Sequence, residues 1–382
     1  MDKKEVLNIL SKVENKFADA LKKHKGTLPA VSKNGVYDNR ADLSINWTID
    51  NGPAWWTNGF WGGIYNQLYA LSSKKEYLDE ARGSRKLIDT CFLSEYYTGL
   101  HHDVGFMWLP TAVADYIMTG DEEAKRRGIL AAQLLAGRYN PQGEFIRAWN
   151  DIIEGEKSNK GWVIIDSMLN ISILYWATKV TNDPRFALIA ERHATTVMNA
   201  FIREDGSVRH IVEFDADKGG FVCDYGGQGM KHGSSWTRGQ SWGIYGFTNS
   251  YTHTGRKEFL DTAVKIADHV ISVIPASYLI PVDFDQDKNL SFEDSTASAV
   301  IACGLIELDR YVPGKGYKET AEKLIEVLTN QRADFSLEHD GIIQRCTGSF
   351  NGLNDREVNF VYADYYYLEA LMKLAGKDVM FW

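Results

Sequence analysis

The sequence predicts an all-α fold, an (α/α)6 barrel of six helical hairpins. Helices that are apolar on every side alternate with amphipathic helices, in about six pairs, and a helix that is apolar all round is buried all round. An open array would need polar terminal helices, but the last apolar helix, NFVYADYYYLEAL, is not polar. The link from each apolar helix to the following amphipathic helix is short. The link from an amphipathic helix to the next apolar helix is long, and these long links are residues 23–54, 140–162, 203–234, 275–293 and 332–358.

The amphipathic helices share a repeated feature, an aromatic residue followed by alanine one turn later. An internal repeat of about fifty to seventy residues is too long for tetratricopeptide or ankyrin arrays. An N-terminal helix from Lys3 to about Lys22 and a helix over 121–139 complete this outer set. The four repeats are Tyr77/Ala81, Phe186/Ala190, Phe259/Ala263 and Tyr317/Ala321.

The apolar helices form the predicted inner ring, and we expect residues 1–382 to be one barrel domain. In a closed barrel all the long links meet at one mouth, where the inner helices begin, and long loops are usually functional. Within these links, EFDADKGGFV and SFEDS fit either strands or plain loops. The six inner segments are Trp55–Leu71, Phe106–Thr119, Val163–Thr181, Ser235–Thr254, Asp294–Tyr311 and Asn359–Leu374.

The composition limits the class of protein. The chain has 382 residues, 44% of them hydrophobic, and a formal net charge of -9. An acidic balance disfavours nucleic-acid and membrane-surface partners, so we predict neither, and we expect a monomer or homodimer. Four scattered cysteines without a C-x-x-C pattern predict reduced thiols in a cytoplasmic protein and no structural zinc. No stretch is long and apolar enough for a membrane span.

The stretch GWVIIDSMLNISILYWA, residues 161–177, holds a carboxylate in an apolar run. A buried charge needs a partner or a function. One interpretation is structural, with Asp166 capping a helix whose first turn contains Ser167 and Asn170. The other is chemical, because polar groups recur at the start of the other aromatic-rich inner helices.

Asp103, in HHDVGFMW, is the best partner for Asp166, because both lie at inner helix starts. Two carboxylates at one mouth suit general acid/base chemistry on a glycosidic substrate. One of them can be the acid only if burial and a like charge raise its pKa. The alternative for Asp103 is a loop cap, and for His101 and His102 core hydrogen bonding or solvent exposure. No metal pattern such as H-E-x-x-H occurs, so we predict no metal and no cofactor.

Arg238 and Trp242 lie one turn apart in SSWTRGQSWGIYGF, so both can meet one ligand. An arginine can hold a carboxylate by two parallel hydrogen bonds. The alternative is an internal ion pair. Together with the aromatic residues at the mouth, this arrangement favours a site for a sugar acid.

At this point the chain resembles a known family. The motifs HHDVGF, WVIIDSMLN, SSWTRGQSWGIYGF and EDSTASAVIACGL are similar, in the same order, to those of the unsaturated glucuronyl hydrolases, glycoside hydrolase family 88. The resemblance covers nearly the whole chain. It implies an (α/α)6 barrel and substrates left by polysaccharide lyases, oligosaccharides of glycosaminoglycan type that end in a 4,5-unsaturated uronic acid.

The resemblance also implies a reaction and a set of site residues. Water adds across the C4=C5 vinyl ether, with Asp166 as general acid/base, and Asp103 supports Asp166 and holds a substrate hydroxyl. The implied binding residues are His210, Gln228, Arg238, Trp242, Trp149, Trp56 and Phe60, with Trp149 stacking on the next sugar and Trp55 an alternative to Trp56.

One departure from the family concerns sulfate. Members that act on sulfated glycosaminoglycans carry a loop with serine and lysine near the C-terminus. Here RCTGSFNGLNDREVNF contains Ser349 but no lysine, and it carries acids. We therefore predict no strong preference for a sulfated substrate.

Three other functions remain open on the sequence alone. The sister family that acts on unsaturated rhamnogalacturonides shares the fold and chemistry implied here. (α/α)6 barrels also host sugar epimerases and isomerases with paired histidine bases, a role open to His101, His102 and His210. A non-catalytic sugar-binding protein is the third alternative. Loss of the ultraviolet absorbance of an unsaturated disaccharide separates a hydrating enzyme from the last two.

Overall fold

The computed structural model describes residues 1–44, 52–151, 158–353, 355–379 and 381–382, so parts of three predicted long links, 23–54, 140–162 and 332–358, lie outside the described residues. The described chain is mainly helical. Its helices are α1 Lys3–His24, α2 Asn58–Ser72, α3 Lys75–Asp89, α4 Val104–Trp108, α5 Ala114–Thr119, α6 Glu122–Ala136, α7 Ser167–Asn170, α8 Ser172–Thr181, α9 Arg185–Phe201, α10 Thr237–Thr254, α11 Lys257–Val273, α12 Ser295–Asp309, α13 Tyr317–Gln331 and α14 Val361–Ala375.

The inner ring closes on itself, which confirms the predicted (α/α)6 barrel. Around the ring α2 contacts α4, α4 contacts α7, α7 contacts α10, α10 contacts α12, and α12 contacts α14, which returns to α2. α4 and α5 form one inner member, joined by a π-helical turn at Leu109–Val113. The inner helices are buried on all sides: every residue is buried over Thr237–Ser250 of α10 and over Ser295–Leu308 of α12.

The outer layer consists of α1, α3, α6, α9, α11 and α13. The repeated aromatic and alanine positions point inward, and all eight residues are at most 2% exposed. The repeat therefore marks the stripe by which each outer helix packs on the ring. This stripe is the contact surface that a half-buried helix needs.

Short strands occupy the mouth. They are β1 Val31–Lys33, β2 Val36–Tyr37, β3 Tyr139–Asn140, β4 Phe145–Ile146, β5 Trp162–Ile164, β6 Ile211–Phe214, β7 Phe221–Tyr225 and β8 Asn359–Phe360. β5, β6 and β7 form one antiparallel sheet, so EFDADKGGFV is a hairpin. SFEDS contributes only an isolated bridge between Pro281 and Glu293.

Two predicted helix starts lie on strands. Asn359 belongs to strand β8, which pairs with β1, and the last inner helix begins at Val361. The inner helix expected to begin at Val163 begins at Ser167, because Trp162–Ile164 pairs with β6 as strand β5. A short apolar run with β-branched residues fits a buried strand as well as a buried helix. The consequence is that Asp166 lies at a junction between strand and helix.

Aromatic side chains fill the barrel below the mouth. Trp382 packs on Tyr366 with ring centroids 5.8 Å apart and on Phe60 at 6.4 Å. Its indole nitrogen donates to Glu369 over 2.8 Å. The interior is a packed core, so a ligand has access at the mouth. Among the described helices none has the length and apolarity needed to cross a membrane.

Candidate active site

Asp166 stands at the head of α7 without capping it. Its backbone is helical (φ -64°, ψ -19°), and its side chain makes no capping hydrogen bond. Oδ1 is buried and has no hydrogen-bond partner among the described residues. The capping interpretation is therefore wrong, and the carboxyl is free to react, with 18% of its side chain exposed.

Asn170 connects Asp166 to Asp103. Its amide nitrogen donates to Asp103 Oδ1 over 2.9 Å and contacts the Asp166 carbonyl at 3.3 Å, and its oxygen accepts from the Phe106 N–H over 2.7 Å. The helices approach closely here because position 105 is glycine: a Cβ on Gly105 would lie 2.5 Å from Asn170 Cα. Asp103 makes no capping bond either, so its loop-cap interpretation is wrong too.

His101 and His102 lie against the two carboxyl groups. His101 Nδ1 is 3.4 Å from Asp103 Oδ2, and His102 Nε2 is 3.5 Å from Asp103 Oδ1 and 3.7 Å from Asp166 Oδ1. His102 is fully buried, and neither ring nitrogen has a hydrogen-bond partner in the described part of the chain. The sequence left two structural interpretations for the histidine pair, a core histidine with hydrogen-bond partners or a solvent-exposed one, and His102 fits neither.

The environment keeps both carboxyl groups protonated at pH values at which an exposed aspartate would be ionised. Burial raises the pKa of Asp166 to about 7, and the Ser167 N–H and the Arg238 charge partly oppose this. Burial, and then repulsion from Asp166, raise the pKa of Asp103, while Asn170 and Arg138 lower it. Two acids that cannot both ionise easily are a source of a proton near neutral pH.

We expect activity to fall on the alkaline side. If protonated Asp166 is the acid, kcat/KM should decrease as pH rises through about 7, the pKa that burial gives this group. Burial, and not a neighbouring negative charge, raises this pKa, so Asp103→Asn should leave the alkaline limb of its residual activity in place. A limb that moves to lower pH in this variant would show instead that a charge on Asp103 raises the pKa of Asp166.

The sheet at the mouth places His210 beside Asp166. Ile164 pairs with Ile211, and the Ile165 N–H donates to the His210 carbonyl over 3.1 Å. His210 Nδ1 lies 3.0 Å from the Gln228 N–H and 3.3 Å from the Gly226 carbonyl, and the shorter contact favours Nδ1 as acceptor. The ring proton is then on Nε2, which has no partner in the described structure. Burial lowers the pKa of His210 to about 3. The ring is therefore a neutral donor.

The turn after β7 fixes this imidazole. Gly227 has φ +56°, and a Cβ there would lie 2.1 Å from His210 Nδ1, so the turn requires glycine. The Gln228 side chain donates to the Gly348 carbonyl over 2.7 Å. Gln228 thus ties the His210 turn to the C-terminal loop, and its predicted contact with substrate stays a prediction.

Arg238 is an internal ion pair, the alternative left open by the sequence. It is 2% exposed and donates to the Asp294 carboxylate. It also donates to the carbonyls of Thr347 at 2.7 Å and Gly348 at 2.6 Å. Its guanidinium lies over Trp236, 4.6 Å from the ring centroid. These bonds place it behind the surface of the site, where its charge lowers the pKa of Asp166.

The predicted aromatic residues divide into two groups. Trp56 is partly exposed and packs on Phe106 and Tyr362 at 5.5 and 4.9 Å, whereas Phe60 is 0% and Trp242 1% exposed behind it. Trp149 lies apart, against Trp162 of β5 at 6.0 Å. Trp56 and Trp149 are therefore the partly exposed rings, and Phe60 packs behind Trp56 at 6.2 Å while Trp242 packs behind Phe106 at 5.3 Å.

A fully buried histidine on an outer helix was missed by the sequence interpretation, which considered only the inner helix starts and their loops. His193 of α9 accepts from the Ile146 N–H at Nδ1 over 3.0 Å, so Nε2 carries the proton and donates to Ser167 Oγ over 2.8 Å. Ser167 follows Asp166 directly. Burial lowers the pKa of His193 to about 3, which keeps the ring neutral.

We expect His193 to position Asp166 through Ser167. His193→Gln can keep a donor near Ser167, whereas His193→Asn can keep only the acceptor for Ile146. The asparagine variant should lose about tenfold in kcat with little change in KM, because small displacements of a reacting group are costly. Its alkaline pH limb should also move. Equal activity of both variants, with only a lower melting temperature, would show that His193 serves stability alone.

A six-hairpin barrel with two adjacent carboxyl groups at its mouth fits a glycoside hydrolase, and the family comparison shows that this chain is one. It belongs to Glycosyl Hydrolase Family 88, whose family model matches residues 22–379.

Named proteins with similar sequences or structures support this family assignment. The chain is 33% identical to an unsaturated glucuronyl hydrolase of Bacillus sp. (strain GL1), over 86% of this chain and 88% of that protein. It is 31% identical to an unsaturated chondroitin disaccharide hydrolase of Streptococcus pneumoniae, over 86% of this chain and 83% of that protein. The crystal structure of the Bacillus sp. GL1 unsaturated glucuronyl hydrolase, described as responsible for the degradation of glycosaminoglycan, superposes with a TM-score of 0.88 at 30% identity, covering 98% of this chain and 97% of that one.

Proposed function

We propose that this enzyme, as a single barrel domain over residues 1–382, removes the 4,5-unsaturated uronic acid from the non-reducing end of glycosaminoglycan-type oligosaccharides produced by lyases. The observation that carries the proposal is the pair Asp103 and Asp166. Asp103 is buried and Asp166 partly buried, Asn170 links the Asp103 carboxyl to the Asp166 carbonyl, and Asp166 Oδ1 has no partner in the described structure. An acid with a pKa raised to about 7 can supply a proton near neutral pH.

The proposed reaction hydrates the vinyl ether. Asp166 donates its proton to C4, and a water molecule, deprotonated with the help of the same group, adds its oxygen to C5. The product is a hemiketal at C5, which opens to a ketone and leaves a hemiacetal at C1. Collapse of that hemiacetal releases the rest of the oligosaccharide, so the anomeric C–O bond is not broken in the hydration step.

Three further roles are part of the proposal. Asp103 holds a substrate hydroxyl and supports Asp166. The Nε2–H of His210 donates a hydrogen bond to the sugar, supported by its fixed tautomer. Trp56 and Trp149 stack on sugar rings, since both are partly exposed at the mouth.

We also propose no strong preference for sulfated substrates. In the described part of the C-terminal loop, Arg345 pairs with Glu357, and Arg356 donates to the Phe350 carbonyl and lies over Phe292 at 4.1 Å. The positive charges of Arg345 and Arg356 therefore already have partners within the protein. Asp355 adds a carboxyl group to the loop that Gln228 anchors at the mouth, so a sulfate would meet like charge.

The cellular location and the oligomeric state are proposals as well. We propose a cytoplasmic monomer or homodimer that binds neither nucleic acid nor membrane. Four free cysteines, three of them buried, support a reducing compartment. Size-exclusion chromatography with light scattering measures the assembly directly.

Incubation with unsaturated disaccharides tests the function. The ultraviolet absorbance of the conjugated double bond should disappear with glycosaminoglycan disaccharides and less efficiently with pectin-derived ones. Turnover in D₂O should place deuterium at C4 of the released keto acid. A saturated glucuronide should not react, because it lacks the vinyl ether. Efficient cleavage of the saturated glucuronide without deuterium at C4 would instead identify a conventional glucuronidase.

A further inference from the structure

The catalytic mouth contains an arrangement that sequence motifs do not show. Ligand atoms of His101, His102 and Asp103 all lie within 4.8 Å of one another. Asp166 Oδ1 lies 3.7 Å from His102 Nε2 and thus adjoins the same cluster. Two imidazoles and two carboxyl groups therefore converge on one small space from the start of α4 and the start of α7.

The spacing matches what a small transition-metal ion needs. A tetrahedral zinc ion with bonds of about 2.0–2.2 Å holds its ligand atoms roughly 3.3–3.6 Å apart. The observed separations are 3.4 Å from His101 Nδ1 to Asp103 Oδ2, 3.5 Å from His102 Nε2 to Asp103 Oδ1, and 3.7 Å from His102 Nε2 to Asp166 Oδ1. Other ligand atoms of the cluster lie up to 4.8 Å apart, so the side chains must close further to surround one ion.

The imidazole nitrogens are weakly engaged or unpartnered in the described structure. His101 Nδ1 accepts a long hydrogen bond of 3.4 Å from the Asp103 N–H, which a bound ion would displace. His102 is fully buried, and its two ring nitrogens, like Asp166 Oδ1, have no hydrogen-bond partner in the described residues.

Charge favours a divalent cation here. The two carboxyl groups repel each other when ionised, and a cation between them relieves that repulsion. Arg138 is a nearby positive charge that would repel a cation. Its guanidinium is held in hydrogen bonds to Asn150 and to the carbonyls of Arg147 and Ala148. The imidazoles select zinc or copper over magnesium and calcium, which prefer oxygen ligands.

We infer that His101, His102, Asp103 and Asp166 form a binding site for Zn²⁺ or a similar transition-metal ion, and that the bound ion inhibits the enzyme. Inhibition follows because the ion occupies the oxygen atoms of Asp103 and Asp166. The site is not a cofactor site, since the metal and the proton-transfer chemistry use the same carboxyl groups.

Direct binding of zinc tests the inference without any substrate. Metal-free full-length protein is titrated with ZnCl₂ against a chromophoric chelator. We expect one saturable ion per chain, a higher melting temperature, and no comparable effect of MgCl₂. His101→Ala should weaken zinc binding at least about tenfold. The matched control His232→Ala removes a 70% exposed histidine and should leave the affinity within about twofold.

Asp166→Asn provides a second ligand variant if His101→Ala does not fold, and it should also weaken binding. With substrate, ZnCl₂ should inhibit turnover, and EDTA should restore it. Equal zinc affinity in the wild-type protein and in the folded ligand variant would overturn the inference. The result is separate from the proposed function, which fails only if metal-free enzyme leaves the double bond intact.

Discussion

Asp166→Asn should lower kcat by about 10²–10⁴-fold while the protein folds normally, because an amide of the same shape cannot transfer the proton. The side chain makes no capping bond, so its replacement breaks no described hydrogen bond of that carboxyl oxygen. Absorbance loss of an unsaturated disaccharide measures the rate, and circular dichroism checks the fold. A variant that retains a near wild-type rate would remove Asp166 from the mechanism.

The same variant should be more stable than the wild type at pH 8. The folded-state pKa of Asp166 is raised to about 7, whereas an unfolded aspartate titrates near about 3.9. Between these values the unfolded chain loses its proton and the folded chain keeps it, so the wild type loses stability as pH rises. The advantage of the asparagine variant should therefore grow from about pH 4 to about pH 7. Denaturant unfolding at several pH values measures it.

Asp364→Asn is a matched control for both effects. Asp364 is also buried at the start of an inner helix, and burial raises its pKa to about 6. Unlike Asp166, it accepts from Tyr37 and from the N–H groups of Ile342 and Ile343. Its replacement should lower stability and leave the kcat of the folded protein unchanged. If both variants changed kcat alike, the loss would reflect disturbed helix starts and not proton transfer.

The sequence could predict those parts of the fold that depend on local periodicity. The aromatic and alanine repeat placed the outer helices correctly, since one buried stripe determines each of them. Val163 shows the limit of this reasoning. A buried strand and a buried helix give the same apolar pattern, and only pairing with Val212, far along the chain, distinguishes them.

The site residues divide in the same way, into those that local sequence position predicts and those that depend on long-range packing. Position at an inner helix start was enough to predict that Asp103 and Asp166 lie close together, as both do beside His102. It could not show that His193, on an outer helix, reaches Ser167, because that contact depends on how two hairpins pack. The partner of Arg238 was unpredictable for the same reason: Asp294 lies 56 residues away, and the barrel alone brings them together.

Arg238→Ala should destabilise the protein by about 3–5 kcal/mol, because it leaves Asp294 as a buried charge without its partner. Arg238 and Asp294 are 2% and 0% exposed at their side chains. The lost contacts to Thr347 and Gly348 should also loosen the C-terminal loop at the mouth. Removal of the positive charge should raise the pKa of Asp166 and move the alkaline limb of the rate to higher pH.

Two comparisons separate these effects from direct recognition of the substrate carboxylate. Arg192→Ala removes an exposed pair with Glu144 and should cost at most about 1 kcal/mol. The double variant Arg238→Met/Asp294→Asn removes both buried charges, so it should recover stability relative to Arg238→Ala. If the double variant regains stability and KM stays near the wild-type value, Arg238 acts as an internal ion pair. A KM raised at least about tenfold in this stable variant would show that Arg238 itself binds the substrate carboxylate, as a lost charge-assisted hydrogen bond predicts.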